Sequence, residues 1–171
     1  RNSETATYDV QDRIQTYHGA SFSWSPNGWM QSRTTAGQTT TYSYDLRGVL
    51  ESAALPGGLA IDYVNDPAGQ RIGRKVNGTL QKGWLWNGFR PVAEVDANSL
   101  VTSRFVYGAD GMTPSYLTKG AETYRLLTDE RGSVRFVIRV TDGAVAQELD
   151  YDEFGRVLLD TAPGFQPFGF A

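Results

Sequence analysis

Carboxylates give this chain its widest choice of chemistry. Asp150 and Asp152 are separated by one residue, with Asp160 close behind. On a strand, positions i and i+2 face the same side. Neighbouring carboxylates on one face can split their proton affinities into an acid and a base. Glu153 adds further oxygen donors to Asp150 and Asp152, so the stretch also invites a hard cation such as calcium. The plainer reading is one strand aspartate followed by one turn aspartate that caps its own backbone. No segment completes a calcium-loop pattern, and no partner for an acid–base pair is evident. No residue is therefore assigned to catalysis, to a metal or to a cofactor.

Other reactive types are scarce. His18 is the only histidine and there is no cysteine. A transition-metal site needs several nitrogen or sulfur donors, and thiol chemistry and disulfides are excluded outright. A Ser-His-Asp arrangement would have to use His18, beside the turn residue Gly19, and no nucleophile-elbow motif is present. Arg71, Arg74, Lys75 and Lys82 sit on adjoining strands of one hairpin and could meet an acidic glycan. Strand parity puts Arg71 and Lys75 on one face and Arg74 on the other. Charged residues that guard a sheet surface are the plainer account. Trp84 and Trp86 share a face, suited either to stacking on a sugar or to an aromatic ladder within the sheet, the second being simpler. Asn77-Gly-Thr79 matches a glycosylation sequon and equally a type I′ hairpin turn. The formal net charge of −3 argues against non-specific nucleic-acid binding. No apolar run is long enough to span a membrane as a helix, and no signal-peptide pattern opens the chain.

Something must position these residues, and the periodicity says what. A cassette Tyr-x-Tyr-Asp-x-x-Gly-x-Val/Leu, fullest at Tyr42–Leu50, returns roughly every twenty residues. Its turn glycines are Gly28, Gly48, Gly69, Gly132 and Gly155, with steps of 20, 21, 63 and 23, the 63 being three units of 21. In each copy large side chains sit at i and i+2, so both face one side of a strand. Tyr42/Tyr44, Ile61/Tyr63, Trp84/Trp86, Phe105/Tyr107 and Leu149/Tyr151 follow this spacing. An Asp-x-x-Gly turn often comes next: Asp45–Gly48, Asp66–Gly69, Asp129–Gly132 and Asp152–Gly155. Asp accepts from backbone N–H groups further along, and Gly tolerates positive φ. Asp12 and Ser99 stand in the glycine slot of two weaker copies, starting at Asp9 and Asp96. After the turn an apolar residue restarts the strand: Val49, Ile72, Val134 or Val157.

No window holds helical apolar spacing, so the chain reads as all-β, a run of tandem antiparallel hairpins in an open or spiralling sheet. A propeller or sandwich is the alternative, since two units make about forty residues, the size of one blade. Residues 1–161 are read as the array, of about seven to eight units, and residues 162–171 as an apolar C-terminal tail. Only 40% of residues are hydrophobic while 12% are aromatic. That balance favours a sheet held by cross-strand aromatic contacts over one with a thick two-layer core. The ladder is expected from Tyr42, Tyr44, Tyr63, Trp84, Trp86, Phe105, Tyr107 and Tyr151, substantially buried on one face.

The ordered motifs resemble the YD-repeat, or Rhs-repeat, family. They are Tyr44-Asp45-Leu-Arg-Gly48, Asp66-Pro-Ala-Gly69-Gln-Arg71, Trp86-Asn-Gly-Phe-Arg-Pro91-Val-Ala-Glu94, Asp129-Glu-Arg-Gly132, Leu149-Asp-Tyr151-Asp152-Glu-Phe-Gly155-Arg156 and Pro167-Phe168-Gly169-Phe170. The series looks like the segment leading into the Rhs-associated core of bacterial Rhs toxins, insecticidal toxin complex C components and wall-associated proteins; teneurins share the repeat. The resemblance implies a β-sheet wound into a hollow shell around a C-terminal toxic cargo. It also implies a secreted or cell-surface bacterial setting, partnership with the rest of the shell and with delivery-system proteins, and no enzyme activity in this stretch. The family's downstream protease motifs are not in this sequence, and both ends are expected to be cut from something longer. The alternative is a cell-surface module that binds a glycan or a protein. Open strand edges are further expected to recruit a second copy unless the tail covers them.

Overall fold

The computed structural model describes residues 6–108 and 111–171. They form two compact units, Arg1–Gly83 and Trp84–Ala171. The first holds β1 (Thr7–Tyr8), β2 (Ile14–Tyr17), β3 (Ala20–Trp24), β4 (Met30–Thr35), β5 (Gln38–Tyr44), β6 (Leu50–Leu55), β7 (Leu59–Asn65), β8 (Arg71–Val76) and most of β9 (Thr79–Asn87). The second holds the rest of β9, then β10 (Arg90–Asp96), β11 (Val101–Val106), β12 (Tyr116–Lys119), β13 (Glu122–Thr128), β14 (Val134–Arg139), β15 (Val145–Tyr151) and β16 (Val157–Asp160). The helical content among the described residues is one 3-10 turn, Pro56–Gly58. Strand order is sequence order in each unit, and the registered pairs are antiparallel. A four-stranded propeller blade would interrupt that ladder. The first unit runs through it without a break, so the tandem-hairpin expectation holds and the propeller does not.

One turn, built seven times, generates this meander. In the copy at Asp45, the N–H groups of Arg47 and Val49 donate to Asp45 Oδ1 at 2.8 and 2.9 Å. The Asp45 N–H donates to Val49 O at 2.9 Å, and the Gly48 N–H to Asp45 O at 3.0 Å. Asp9, Asp96, Asp129 and Asp152 each take the matching pair of backbone donors. Asp66 takes the Gln70 N–H at 2.9 Å, and Ser25 does the same with its hydroxyl for Trp29 at 3.0 Å. The fourth residue is always left-handed: φ is 82° at Gly48, 84° at Gly69, 57° at Asp12 and 65° at Ser99. Non-glycine residues pay a steric cost there, least for short polar side chains, which is why Asp and Ser can replace Gly.

A β-bulge follows each of these turns, and parity reading could not see it. Ser43 pairs with Ser52 but Tyr44 pairs with Leu50, so Glu51 is an extra residue. The same shift makes Ile72 an extra residue on β8, and Ile72 is 40% exposed. It does not restart the core face as Val134 does. The basic residues must be reassigned too. Asn65 pairs with Arg71 and Tyr63 with Arg74, whereas Lys75 pairs with Asp62. Arg71 and Arg74 therefore share a face and Lys75 lies opposite, the reverse of the expected parity. Arg71 lies over the Tyr63 ring, 3.6 Å from its centroid, a cation–π contact.

The Asp96 turn also departs from the simple repeat. Turns in a meander alternate between its two edges. Counting hairpins within the second unit puts the β10–β11 turn on the edge opposite the Asp129 and Asp152 turns. On the edge of the Asp129 and Asp152 turns, the second unit also carries the β9–β10 turn at Gly88 and the β11–β12 connection, part of which lies outside the described residues.

Adjacent turns interlock in the first unit. The indole of Trp29 lies where a Cβ on Gly48 would be, 2.8 Å from its Nε1, and Val49 Cγ2 lies 3.1 Å from such an atom on Gly69. Trp29 and Val49 hold the same position in successive turns, each resting on the next turn's glycine. Arg47 bridges onward by donating to Pro67 O. Trp24 Nε1 donates to Ile14 O at 2.7 Å, and Asn65 Nδ2 to Leu50 O at 3.0 Å, again one structural position used twice. The aromatics are less buried than expected. Tyr42, Tyr44, Tyr63, Trp84, Trp86, Tyr107 and Tyr151 are half-buried, and of the eight ladder residues only Phe105 is fully buried. Among the described residues of the first unit, the fully buried hydrophobic side chains are Ala20 and Ala53.

Gly48→Ala forces a Cβ into both a left-handed backbone and the Trp29 ring. Gly37 has a φ of 75° but nothing within 4 Å of such a Cβ. Both changes should destabilise by about 1–2 kcal/mol through the backbone. Gly48→Ala should cost roughly a further 1–3 kcal/mol through overpacking. Urea denaturation midpoints of the two variants measure the difference.

Candidate functional site

The second unit breaks the interlock where its sequence becomes small. Ser133 occupies the position of Trp29 and Val49, and it is fully buried. It leaves the space above the next turn glycine, Gly155, for another side chain. Phe170 fills that space, its ring within 2.7 Å of where a Gly155 Cβ would stand. The C-terminal tail has thus been drawn onto the sheet by a gap that the repeat itself leaves.

Three tail phenylalanines each meet a sheet aromatic edge to face. Phe165 meets Tyr124 at 5.0 Å, Phe168 meets Phe105 at 4.9 Å and Phe170 meets Tyr151 at 5.7 Å between centroids. Below them lies the core of this unit, Phe105, Leu117, Leu126, Val134, Val137 and Leu149. Tyr124 and Leu126 face it from β13, in line with the alternation there. Phe105 and Tyr151 of the expected ladder reach the tail rather than one another.

Polar groups fix the tail's register. The Val134 N–H donates to Gly169 O at 3.0 Å, and the Ala171 N–H to Ser133 Oγ at 3.0 Å. Lys119 Nζ donates to Phe165 O at 2.7 Å. Gln147, 1% exposed, donates from Nε2 to Asp160 Oδ1 at 2.8 Å and to Ala162 O at 3.1 Å, and accepts from Gln166 Nε2 at 3.1 Å. The Phe168 N–H in turn donates to Gln166 Oε1. A buried amide is costly unless every group is satisfied, so the Gln147–Gln166 pair admits this tail in one position. Sequence reading marked the tail as apolar but missed Gln147, Gln166 and Ser133. Of the three, only Gln147 carried a signal, a polar residue at a core-facing position of β15.

The carboxylates singled out for chemistry are not brought together. Asp150 pairs with Arg135 and accepts its neighbour Tyr151's N–H at 2.9 Å. Asp152 caps its turn, and Asp160 faces the tail. Asp150 pairs in register with Leu159 while Asp160 pairs with Leu149, so those two carboxylates leave opposite faces. Among the described residues no group of three or more candidate ligands could hold a metal ion, and no helix is long and apolar enough to cross a membrane. His18 lies in the tight turn after β2, its ring 4.2 Å from Tyr17. Trp84 donates to Glu94 at 3.2 Å, and Glu94 is 3% exposed, a buried acid the sequence reading passed over.

Ionisation follows the turns. Asp45 is held below the usual carboxylate range, first by the Val49 N–H, against burial, and then by Arg47. Asp9 is lowered in the same way by the Arg13 N–H and guanidinium. Burial pushes the Tyr107 hydroxyl up to about 12, where it donates to Pro91 O at 2.7 Å. Burial also raises Tyr151, with Asp160 adding to the shift.

The family model described as Teneurin YD-shell matches residues 1–171. The chain belongs to this family. Its membership agrees with the YD-repeat resemblance carried by the turn motifs. Among curated proteins, the chain is 27% identical over 155 residues to the tRNA3(Ser)-specific nuclease WapA of Bacillus spizizenii, covering 88% of this chain and 6% of that one. Among solved structures it is similar to the TcdB2-TccC3-Cdc42 crystal structure, with a TM-score of 0.44 and 13% identity over 87% of this chain and 11% of that one. It is also similar to the Photorhabdus luminescens Tc holotoxin pore, with a TM-score of 0.45 and 12% identity over 95% of this chain and 8% of that one. The YD-shell chain thus spans a small part of the length of each of these relatives.

Two outcomes test the site. Phe168→Ala should destabilise the second unit by about 3–5 kcal/mol, read as a loss in the denaturation midpoint. Ionisation supplies the other. Asp45 has a lowered folded pKa, so its contribution is present above the ordinary value of 3.8 and is lost as pH falls through the folded one. Tyr107 has a raised pKa, so its contribution is present below 10.0 and is lost as pH rises through about 12. Asp45→Asn should therefore flatten the acid limb of a stability–pH curve, and Tyr107→Phe the alkaline limb, with a loss of about 1 kcal/mol at neutral pH from the missing hydrogen bond.

Proposed function

We propose that this chain is a wall segment of a YD-repeat shell that encloses and carries the toxic C-terminal cargo of a secreted or cell-surface bacterial protein. The observation that carries this reading is the interlock of neighbouring turns, completed by the tail where the repeat leaves a gap. Such a device produces continuous wall. In this reading the segment's part is structural, without catalysis or a cofactor.

A wall around an unfolded cargo benefits from a surface that offers little to hold. One face of the first unit has that character. Thr16, Ser21, Thr34 and Thr39 form a cross-strand row, and Ser23, Ser32 and Thr41 form the next. Their hydroxyls pair with each other, Ser23 with Ser32 at 2.6 Å and Thr34 with Thr39 at 2.8 Å. The rows are uncharged and polar. Membership of the YD-shell family across the whole chain supports the same reading, as does the likeness to the tRNA3(Ser)-specific nuclease WapA. The partners are then the rest of the shell, the cargo and the proteins that deliver it.

Limited proteolysis of a full-length protein containing this segment tests enclosure. The C-terminal domain should resist digestion in the native protein. It should become cleavable when Gly155→Leu evicts Phe170, with the sheet still present by circular dichroism. A cargo cut equally fast in both proteins would refute the reading.

A further inference from the structure

The face of the second unit opposite the tail carries exposed apolar side chains that nothing in the unit covers. One row crosses five strands in register: Val106 on β11, Tyr116 on β12, Arg125 on β13, Ile138 on β14 and Val145 on β15. Val106 is 52% exposed and Val145 56% exposed, and Phe136 beside the row is 37% exposed. Exposed apolar side chains in a contiguous group mark a surface that meets something. A cleft of about 380 Å3 opens along the row between Tyr116 and Ile138.

Arg125 stands at the middle of this row. Its guanidinium lies 5.9 Å from the Tyr116 ring centroid, and among the described residues it has no carboxylate partner. Two neighbouring arginines do have one, while Arg104 shares the face beside Val106 but stands outside the row. Arg139 is bound twice by Asp142, at 3.0 and 2.7 Å, and Arg135 is bound by Asp150. Glu148 pairs across from Phe136 on β15, two strands from Arg125. The cation is thus left free within an apolar row, backed by an aromatic ring that holds it in place.

We propose that this row is a docking surface for an extended polypeptide segment carrying an acidic side chain flanked by apolar ones. Four strand spacings make the row about 19 Å long, the reach of roughly six extended residues. A lone guanidinium suits one carboxylate, which it can bind with two parallel hydrogen bonds. Apolar residues on both sides exclude water and supply the area that makes such a pair worth forming. A nucleic-acid backbone would call for several cations, and this row has one. The surface belongs to the second unit alone and is present whether or not the chain encloses a cargo.

Fluorescence anisotropy on the full chain tests the assignment. The probe is a fluorescein-labelled peptide, Gly-Leu-Gly-Val-Glu-Val-Gly-Leu-Gly, and its control has lysine in place of glutamate. The glutamate peptide should bind about tenfold tighter than the lysine peptide, a difference set by the charge pair. Arg125→Glu should invert the preference, and Arg125→Gln, which keeps the side-chain bulk, should abolish it. Val106→Ser combined with Val145→Ser should weaken both peptides alike. Each variant is checked for an unchanged circular-dichroism spectrum, and the glutamine variant stands in if the glutamate variant fails to fold. Binding of neither peptide, equal binding of both, or an unaltered preference in both Arg125 variants would overturn the proposal. So would a dimer of the native chain that dissociates in the double serine variant, since a second copy would then own the row.

Discussion

A side chain that satisfies its own backbone is the constraint on which this structure depends. When Asp45 accepts the N–H groups of Arg47 and Val49, the four residues after a strand have one conformation open to them. The fourth must then be left-handed, and the strand that leaves must carry one extra residue before regular pairing resumes. Repeated bulges raise the local twist of a sheet, so a turn chosen for its capping chemistry also sets the twist at each return. The shallow burial of the first unit follows. Alanines and half-buried rings suffice for its packed face because local turn energy and nearest-neighbour contacts do much of the stabilising, as in other repeat architectures.

Nearest-neighbour contacts demand a matched pair at every step, one side chain to project and one glycine to receive it. Trp29 on Gly48 and Val49 on Gly69 supply that pair. Ser133 is too small to project, and at that step the chain recruits Phe170 from its own tail. The exchange converts a surface array into a unit with a closed core, because Phe165 and Phe168 follow Phe170 onto the sheet. Buried glutamines 147 and 166 then act as a register lock. The tail sits on one face of the second unit, and the apolar row around Arg125 is left uncovered on the other.

Function in such a chain lies in surface. The hydroxyl rows of the first unit and the arginine-centred row of the second are opposite solutions, one presenting nothing to grip and one presenting a specific grip. The proposed shell wall would have use for both, one surface leaving a carried polypeptide mobile and the other holding it at a defined point.

Much was legible in the sequence because it is local. Asp at the first turn position, a left-handed residue at the fourth and large side chains at i and i+2 are relations within eight residues, and they fixed the all-β class, the hairpin order and the turn chemistry. What failed to read through was set by pairing. The bulge at Ile72 moved Arg71 to the face of Arg74, because register belongs to two strands and parity counted along one cannot detect an inserted residue. The half-burial of the aromatic ladder, the separation of Asp150 from Asp160 and the edge taken by the Asp96 turn depended likewise on which strand lay alongside. The tail's seat was decided still further from its sequence. Phe170 has a place only because Ser133, far away in the chain, is small and Gly155 has no side chain, and steric space between distant residues exists only once the chain has folded.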